Sequence, residues 1–193
     1  MAIYPVPRNF CCVVIPWRVT DNPSMRDHKR RGEVLESTSL RDFFLLCVRR
    51  SLVDLALPED DAVPYLADML ARYAAQTQFG LEGIADRLVE IHRAWQIDSP
   101  DFDPSREVEL RREIGDYTLF MTGFLWERVE AMSAQHHYTR LGSSAYRFVA
   151  EHRRALGQPD AAVYRGLSEG FMRYAVVLMY VREVYADVEP VRP

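Results

Sequence analysis

A chain of 193 residues, 48% hydrophobic and 27% charged, is sized and composed for one globular domain, which excludes a disordered or low-complexity polymer. Its formal net charge of −4 argues against a dedicated nucleic-acid binder. No apolar run approaches the ~18 residues of a membrane helix, and three cysteines cannot build a disulfide framework, so a reducing, cytoplasmic setting with no membrane contact is expected.

Residues 1–37 read as an irregular N-terminal arm or an over-extended start. They hold Pro5, Pro7, Pro16 and Pro23, show no sustained helical period, and carry a small net positive charge, whereas the rest of the chain is acidic. Phe10 to Ile15 has the composition of a short strand but no evident partner strand. As a signal peptide it fits badly, because the apolar run is short and ends in Pro16-Trp17-Arg18. Met25 precedes the basic run 26–31 (Arg26-Asp27-His28-Lys29-Arg30-Arg31), so either Met1 or Met25 can serve as the biological start. That run offers at most a weak nucleic-acid contact, and a solvated linker is the commoner explanation.

From Ser39 the spacing is helical. Ser39 with Asp42 forms a capping-box pattern that opens a helix through about Ala56, with Leu40, Phe43, Phe44, Cys47, Val48, Leu52 and Leu55 on one face. Pro58 ends it. A second helix is expected near 61–77, around Tyr65, Leu66, Met69, Leu70 and Tyr73, and a third after Gly83, around Ile84, Leu88, Ile91 and Trp95. Asp103-Pro104 opens a fourth, charged and solvated at first, then apolar from Ile114 to Trp126. A fifth, near 138–156, groups Tyr138, Leu141, Ala145, Phe148 and His152, and Gly157-Gln158-Pro159 stops it. A last, continuous helix over about 160–186 repeats at Leu167, Phe171, Tyr174, Leu178, Val181 and Tyr185. The fold class is all-α: a single-domain bundle of about six helices over 38–187, with a C-terminal tail at 188–193.

The chemistry-bearing motifs are sparse. Gly166-Leu167-Ser168-Glu169-Gly170 spells a nucleophile elbow, but that device needs a strand-to-helix turn and a later histidine, and the last histidine is His152. None of the five histidines lies three residues after a glutamate, and there is no Cys-x-x-Cys, so no metal and no cofactor are implied. Adjacent His136 and His137 would point ~100° apart on a helix. Cys47, on an apolar face, reads as a core residue.

Asp116 is the informative polar residue, because a carboxylate opening an apolar stretch must find donors or titrate abnormally. Read structurally, it pairs with Arg112 one turn back and fixes helix packing. Read functionally, it is a pocket acid or base assisted by Tyr146, His137 or Tyr117.

Gly115-Asp116-Tyr117-Thr118-Leu119-Phe120-Met121-Thr122-Gly123, followed by Tyr138, Gly142, Ser144, Ala145 and Tyr146, resembles a family of uncharacterised bacterial all-helical proteins. The resemblance covers roughly 38–187 and implies an all-helical fold, with 115–146 as the first place to look for a site. It implies no activity, ligand or catalytic residue.

Three functions are therefore weighed. The first is a non-catalytic helical module that binds a protein partner or a small apolar ligand between helices. Gly115, Gly123 and Gly142 would allow close approach there, Phe120, Phe124, Trp126, Tyr138 and Tyr146 would line a pocket or fill the core, and self-association into a homo-oligomer fits the same composition. The alternatives are an enzyme with its acid/base at Asp116, and nucleic-acid contact through 26–31.

Overall fold

The computed structural model describes residues 39–75 and 104–185, which form seven α-helices and, among the described residues, no strand. They are α1 (Leu40–Asp54), α2 (Ala62–Ala75), α3 (Pro104–Phe124), α4 (Trp126–Ala131), α5 (Gln135–Ala155), α6 (Ala161–Glu169) and α7 (Phe171–Tyr185). The expected helix around Ile84 to Trp95, the arm 1–37 and the tail 188–193 lie outside the described residues.

Local chemistry sets the helix starts. The Ser39 hydroxyl accepts the Asp42 amide at 3.1 Å, the first arm of a capping box, and donates to the Asp42 carboxylate at 2.7 Å, so the two side chains hold each other at the helix start. The Asp60 carboxylate accepts the Ala62 amide at 3.1 Å at the start of α2, and Pro64 falls in that first turn, where its missing N–H costs nothing. Three helices end in a left-handed residue: Ala56, Ser133 and Gly157 have φ of 53°, 52° and 66°. After each, the next amide reaches back five residues (Leu57 to Leu52, Ala134 to Val129, Gln158 to Arg153), which satisfies carbonyls that a helix end otherwise leaves open.

Two boundaries differ from the sequence expectation. The fourth predicted helix breaks at Leu125, whose amide reaches back to the Phe120 carbonyl, a π-like step that separates α3 from α4. The last predicted helix breaks at Gly170 into α6 and α7. A Cβ there would stand 2.9 Å from the Tyr174 ring and 3.1 Å from the Gly166 carbonyl oxygen, so glycine lets the chain turn without a clash.

Burial also departs from periodicity in places. The first half of α3 is not wholly solvated, since Glu107 is buried and accepts from Arg111 at 2.7 Å while the Arg111 guanidinium lies 4.5 Å over the Phe148 ring. α5 packs against both α3 and α6, so it buries Gly142, Tyr146, Val149 and Ala150 and leaves Leu141 and Phe148 only half-covered.

The core joins α1, α2, α3 and α7 through Phe43, Cys47, Val48, Leu66, Met69, Leu70, Phe120, Tyr174 and Leu178. α3 packs along α5 and α7, α1 along α2 and α7, and α5 along α6. A Cβ at Gly123 would lie 2.8 Å from the Ala175 carbonyl oxygen, so α3 and α7 meet there nearly backbone to backbone. Among the described residues, no helix is long and apolar enough to cross a membrane.

Candidate functional site

Asp116 sits in the continuous buried stretch of α3, with 4% of its surface exposed. Its Oδ1 accepts hydrogen bonds from the hydroxyls of Tyr65 on α2 and, at 2.9 Å, Tyr146 on α5. Its Oδ2 accepts from Arg72 on α2 at 2.8 Å and from Arg112 on α3 itself at 3.3 Å. Four donors therefore surround one carboxylate, as the desolvation cost of a buried acid requires.

Each donor has a local reason to be there. Tyr65 and Arg72 are seven residues apart, two turns of α2, so they share one face. Arg112 precedes Asp116 by four residues on α3. Tyr146 reaches Asp116 because its ring lies against Gly115, where a Cβ would come within 2.7 Å of the ring carbons. Around the hydroxyls the rings interlock: Tyr65 meets Tyr164 edge-on at 5.4 Å between centroids, and Tyr146 lies 6.3 Å from Tyr164 and 6.4 Å from Phe171.

Burial pushes the Asp116 carboxyl above the usual carboxylate range, although the Tyr65 hydrogen bond and the two guanidiniums pull the other way. Burial, reinforced by the Asp116 charge, also holds the Tyr65 and Tyr146 phenols well above the ordinary tyrosine value. The two phenols thus stay protonated as donors. The cluster reaches solvent through Arg72, whose side chain is 46% exposed, while the carboxylate is sealed behind it.

Of the sequence candidates, Asp116 and Tyr146 come together and His137 does not. His137 is exposed in the first turn of α5, nine residues before Tyr146 and so about 14 Å away along the helix axis. Its ring faces Tyr138, and both His136 and His137 are exposed in the first turn of α5. Tyr117 packs with Tyr138, Met121 and Val129. Tyr65, Arg72 and Tyr164, which complete the cluster, escaped the sequence reading; the two-turn spacing of Tyr65 and Arg72 was the one available signal.

The other motifs resolve simply. Ser168 lies inside α6 and donates to the Ser143 carbonyl on α5 at 2.8 Å, so no elbow forms. Cys47 is fully buried, and burial pushes its thiol up to about 12. No group of three or more His, Cys, Asp or Glu side chains among the described residues is placed to hold a metal ion. Cys11, Cys12 and the basic run 26–31 lie outside the described residues.

Two clefts open elsewhere. One, of about 230 Å³, lies between α3–α4 and α7, lined mainly by Trp126, Val129, Met172, Ala175, Val176 and Met179 with Thr122, Glu130 and Gln135. The other, of about 430 Å³, lies between α5 and α6. Neither touches Asp116.

The described residues thus form an all-helical bundle with a buried carboxylate cross-brace, with clefts between α3–α4 and α7 and between α5 and α6. No protein-family model, curated protein or solved structure matches this chain.

Proposed function

We propose that this chain is a non-catalytic helical binding module of the cytoplasm, and that the cleft between α3–α4 and α7 receives a small apolar ligand. The observation that carries this reading is Trp126. Its ring walls an apolar cleft, and its indole N–H is shielded from water with no hydrogen-bond partner among the described residues. A buried donor without a partner costs ~1–3 kcal/mol, which a ligand acceptor would recover once the cleft side chains part enough to admit it to the indole N–H. An engineered cavity of ~150 Å³ takes benzene, so 230 Å³ suits a substituted ring. Met172 and Val176, 40% and 38% exposed, supply adaptable and apolar rims. The Asp116 brace fits this role as well, because a rigid frame lowers the ordering cost of binding.

The enzyme reading has the Asp116–Tyr146 contact in its favour, but general acid–base work needs a substrate within hydrogen-bond reach. That carboxylate is 4% exposed and its two oxygens already accept four hydrogen bonds within the protein.

The test is an NMR titration of the full chain with acetophenone and with ethylbenzene, reading the Trp126 indole N–H assigned through Trp126→Phe. Acetophenone is expected to bind saturably and shift that signal downfield, ethylbenzene to bind more weakly, and Val176→Arg to abolish both. Absence of saturable binding, or binding indifferent to Val176→Arg, overturns the reading. Concentration-dependent dimerisation that Val176→Arg removes would assign the cleft to a second copy instead.

A further inference from the structure

The cleft between α5 and α6 has a different character. α5 contributes Arg147 and Arg154, seven residues apart on one face and so ~10.5 Å apart along the axis, and α6 contributes Arg165. Its volume of about 430 Å³ falls within the ~300–1,000 Å³ of small-molecule sites. Small residues, Ala150, Ala161 and Ala162, leave room between the arginines.

These three arginines are exposed and, like Arg140, lack the carboxylate partner that most of the described arginines have. Arg41, Arg49, Arg72, Arg111, Arg112, Arg173 and Arg182 each pair with a carboxylate. Arg147, Arg154 and Arg165 have no ion-pair or hydrogen-bond partner among the described residues, although Glu151 and Glu169 line the same cleft. The loop closing one end is fixed from behind, where Arg153 binds the Gln158 side chain and approaches Asp160 at 3.6 Å. Ala161 and Ala162 bring the start of α6, with its partial positive charge, to the same wall.

We propose that the α5–α6 cleft binds a small anion through Arg147, Arg154 and Arg165, the recognised group being a phosphate or a carboxylate. Guanidiniums match both geometries, with paired N–H donors meeting paired oxygens. Glu151 lies between Arg147 and Arg154 on α5, and Glu169 follows Arg165 by one turn on α6, so the cleft carries three positive and two negative side chains and suits a compact anion better than an extended polyanion. This inference is independent of the α3–α7 cleft.

The experiment is calorimetric titration of the full chain with inorganic phosphate and, separately, succinate, at constant ionic strength in chloride. One or both anions are expected to bind saturably at one site. Arg165→Gln and Arg147→Gln should each weaken binding about tenfold or more, and Arg140→Gln, at an exposed position on α5 outside the cleft, should change it less than about twofold. Thermal midpoints of all variants should match the parent, since these side chains hold nothing else. Saturation by phosphate alone or succinate alone identifies the source of the shared chemistry. If neither saturates, or if Arg140→Gln weakens binding as much as Arg165→Gln, general surface charge explains the effect and the site is overturned.

Discussion

The Tyr146 hydroxyl donates to Asp116 at 2.9 Å across the α3–α5 interface, making the buried carboxylate the point at which three helices are tied. Removing that hydroxyl with Tyr146→Phe leaves Tyr65 on the same oxygen, so a loss of ~1–2 kcal/mol is expected. Asp116→Ala strands the buried Tyr146, the half-buried Tyr65 and the half-covered Arg112 together, and should cost more, ~3–5 kcal/mol. Arg72→Ala should cost least, because Arg72 is 46% exposed and water screens its pair. Urea unfolding of the three variants checks the order; an Arg72→Ala loss equal to that of Asp116→Ala would mean the brace is governed from the surface.

Gly115 is where this brace is least tolerant. A Cβ there meets three ring atoms of Tyr146 at 2.7–2.9 Å, and the ring is enclosed by Tyr164 and Phe171 with little room to retreat. Gly115→Ala should therefore destabilise by ~1–3 kcal/mol despite the better helix propensity of alanine. The double variant Gly115→Ala with Tyr146→Phe keeps the clash, because the ring carbons make it. Relief in that double variant would instead assign the effect to the hydroxyl.

Ala56 presents the opposite case. It is exposed, sits in the left-handed region at φ 53°, and has no side-chain duty. A left-handed non-glycine residue costs ~1–2 kcal/mol, partly offset by the greater freedom glycine gives the unfolded chain. Ala56→Gly is expected to stabilise by a few tenths to ~1 kcal/mol, visible as a raised thermal midpoint. A lowered midpoint would show that the unfolded-state effect wins.

These positions show which parts of the molecule could be read from sequence. The faces of α1, α2 and α7 were legible because apolar residues recur at the helical period, and Leu167, Phe171, Tyr174, Leu178 and Val181 are all buried as their spacing demands. Gly157 announced a helix end. Ala56 and Ser133 close helices in the same way without glycine, and the breaks at Leu125 and Gly170 keep their hydrogen bonds through small backbone adjustments that leave the pattern of apolar residues undisturbed. The brace was half-legible. Arg112 lies one turn from its partner, whereas Tyr65 and Arg72 reach Asp116 across 51 and 44 residues. α2 and α3 do not pack closely along their length, so long side chains alone make that link.

A second bridge, at Asp60, predicts a contrast between two acids. Asp60 caps α2 through the Ala62 amide and also accepts from Arg173 and, at 2.7 Å, from Tyr174 on α7. Losing a cap and two cross-helix bonds at once should make Asp60→Ala cost ~2–3 kcal/mol. Asp68, whose pair with Arg41 is 47% exposed on both sides, should lose no more than ~0.5 kcal/mol as Asp68→Ala. Chemical denaturation of both variants distinguishes a bridge from a surface pair; equal losses would remove the special role given to Asp60.

The raised Asp116 carboxyl makes stability depend on pH in a definite direction. Burial is its first cause, so the folded chain holds this proton at pH values where the unfolded chain, with its carboxyl near ~3.9, has released it. In that window the native state binds more protons, and stability falls as pH rises, by at most ~1.4 kcal/mol per pH unit from this one group. The contribution is fully present below the unfolded value and is lost as pH climbs through the folded one. Other carboxyls titrate in the same range, so the measurement is the difference between the parent and Asp116→Asn, which cannot ionise, in urea melts from pH 3 to pH 8. That difference should be flat at the acid end and then move steadily against the parent. Movement in the parent's favour would mean that Arg72, Arg112 and the two phenols outweigh burial, and that the brace works as an ion pair rather than as a shielded acid.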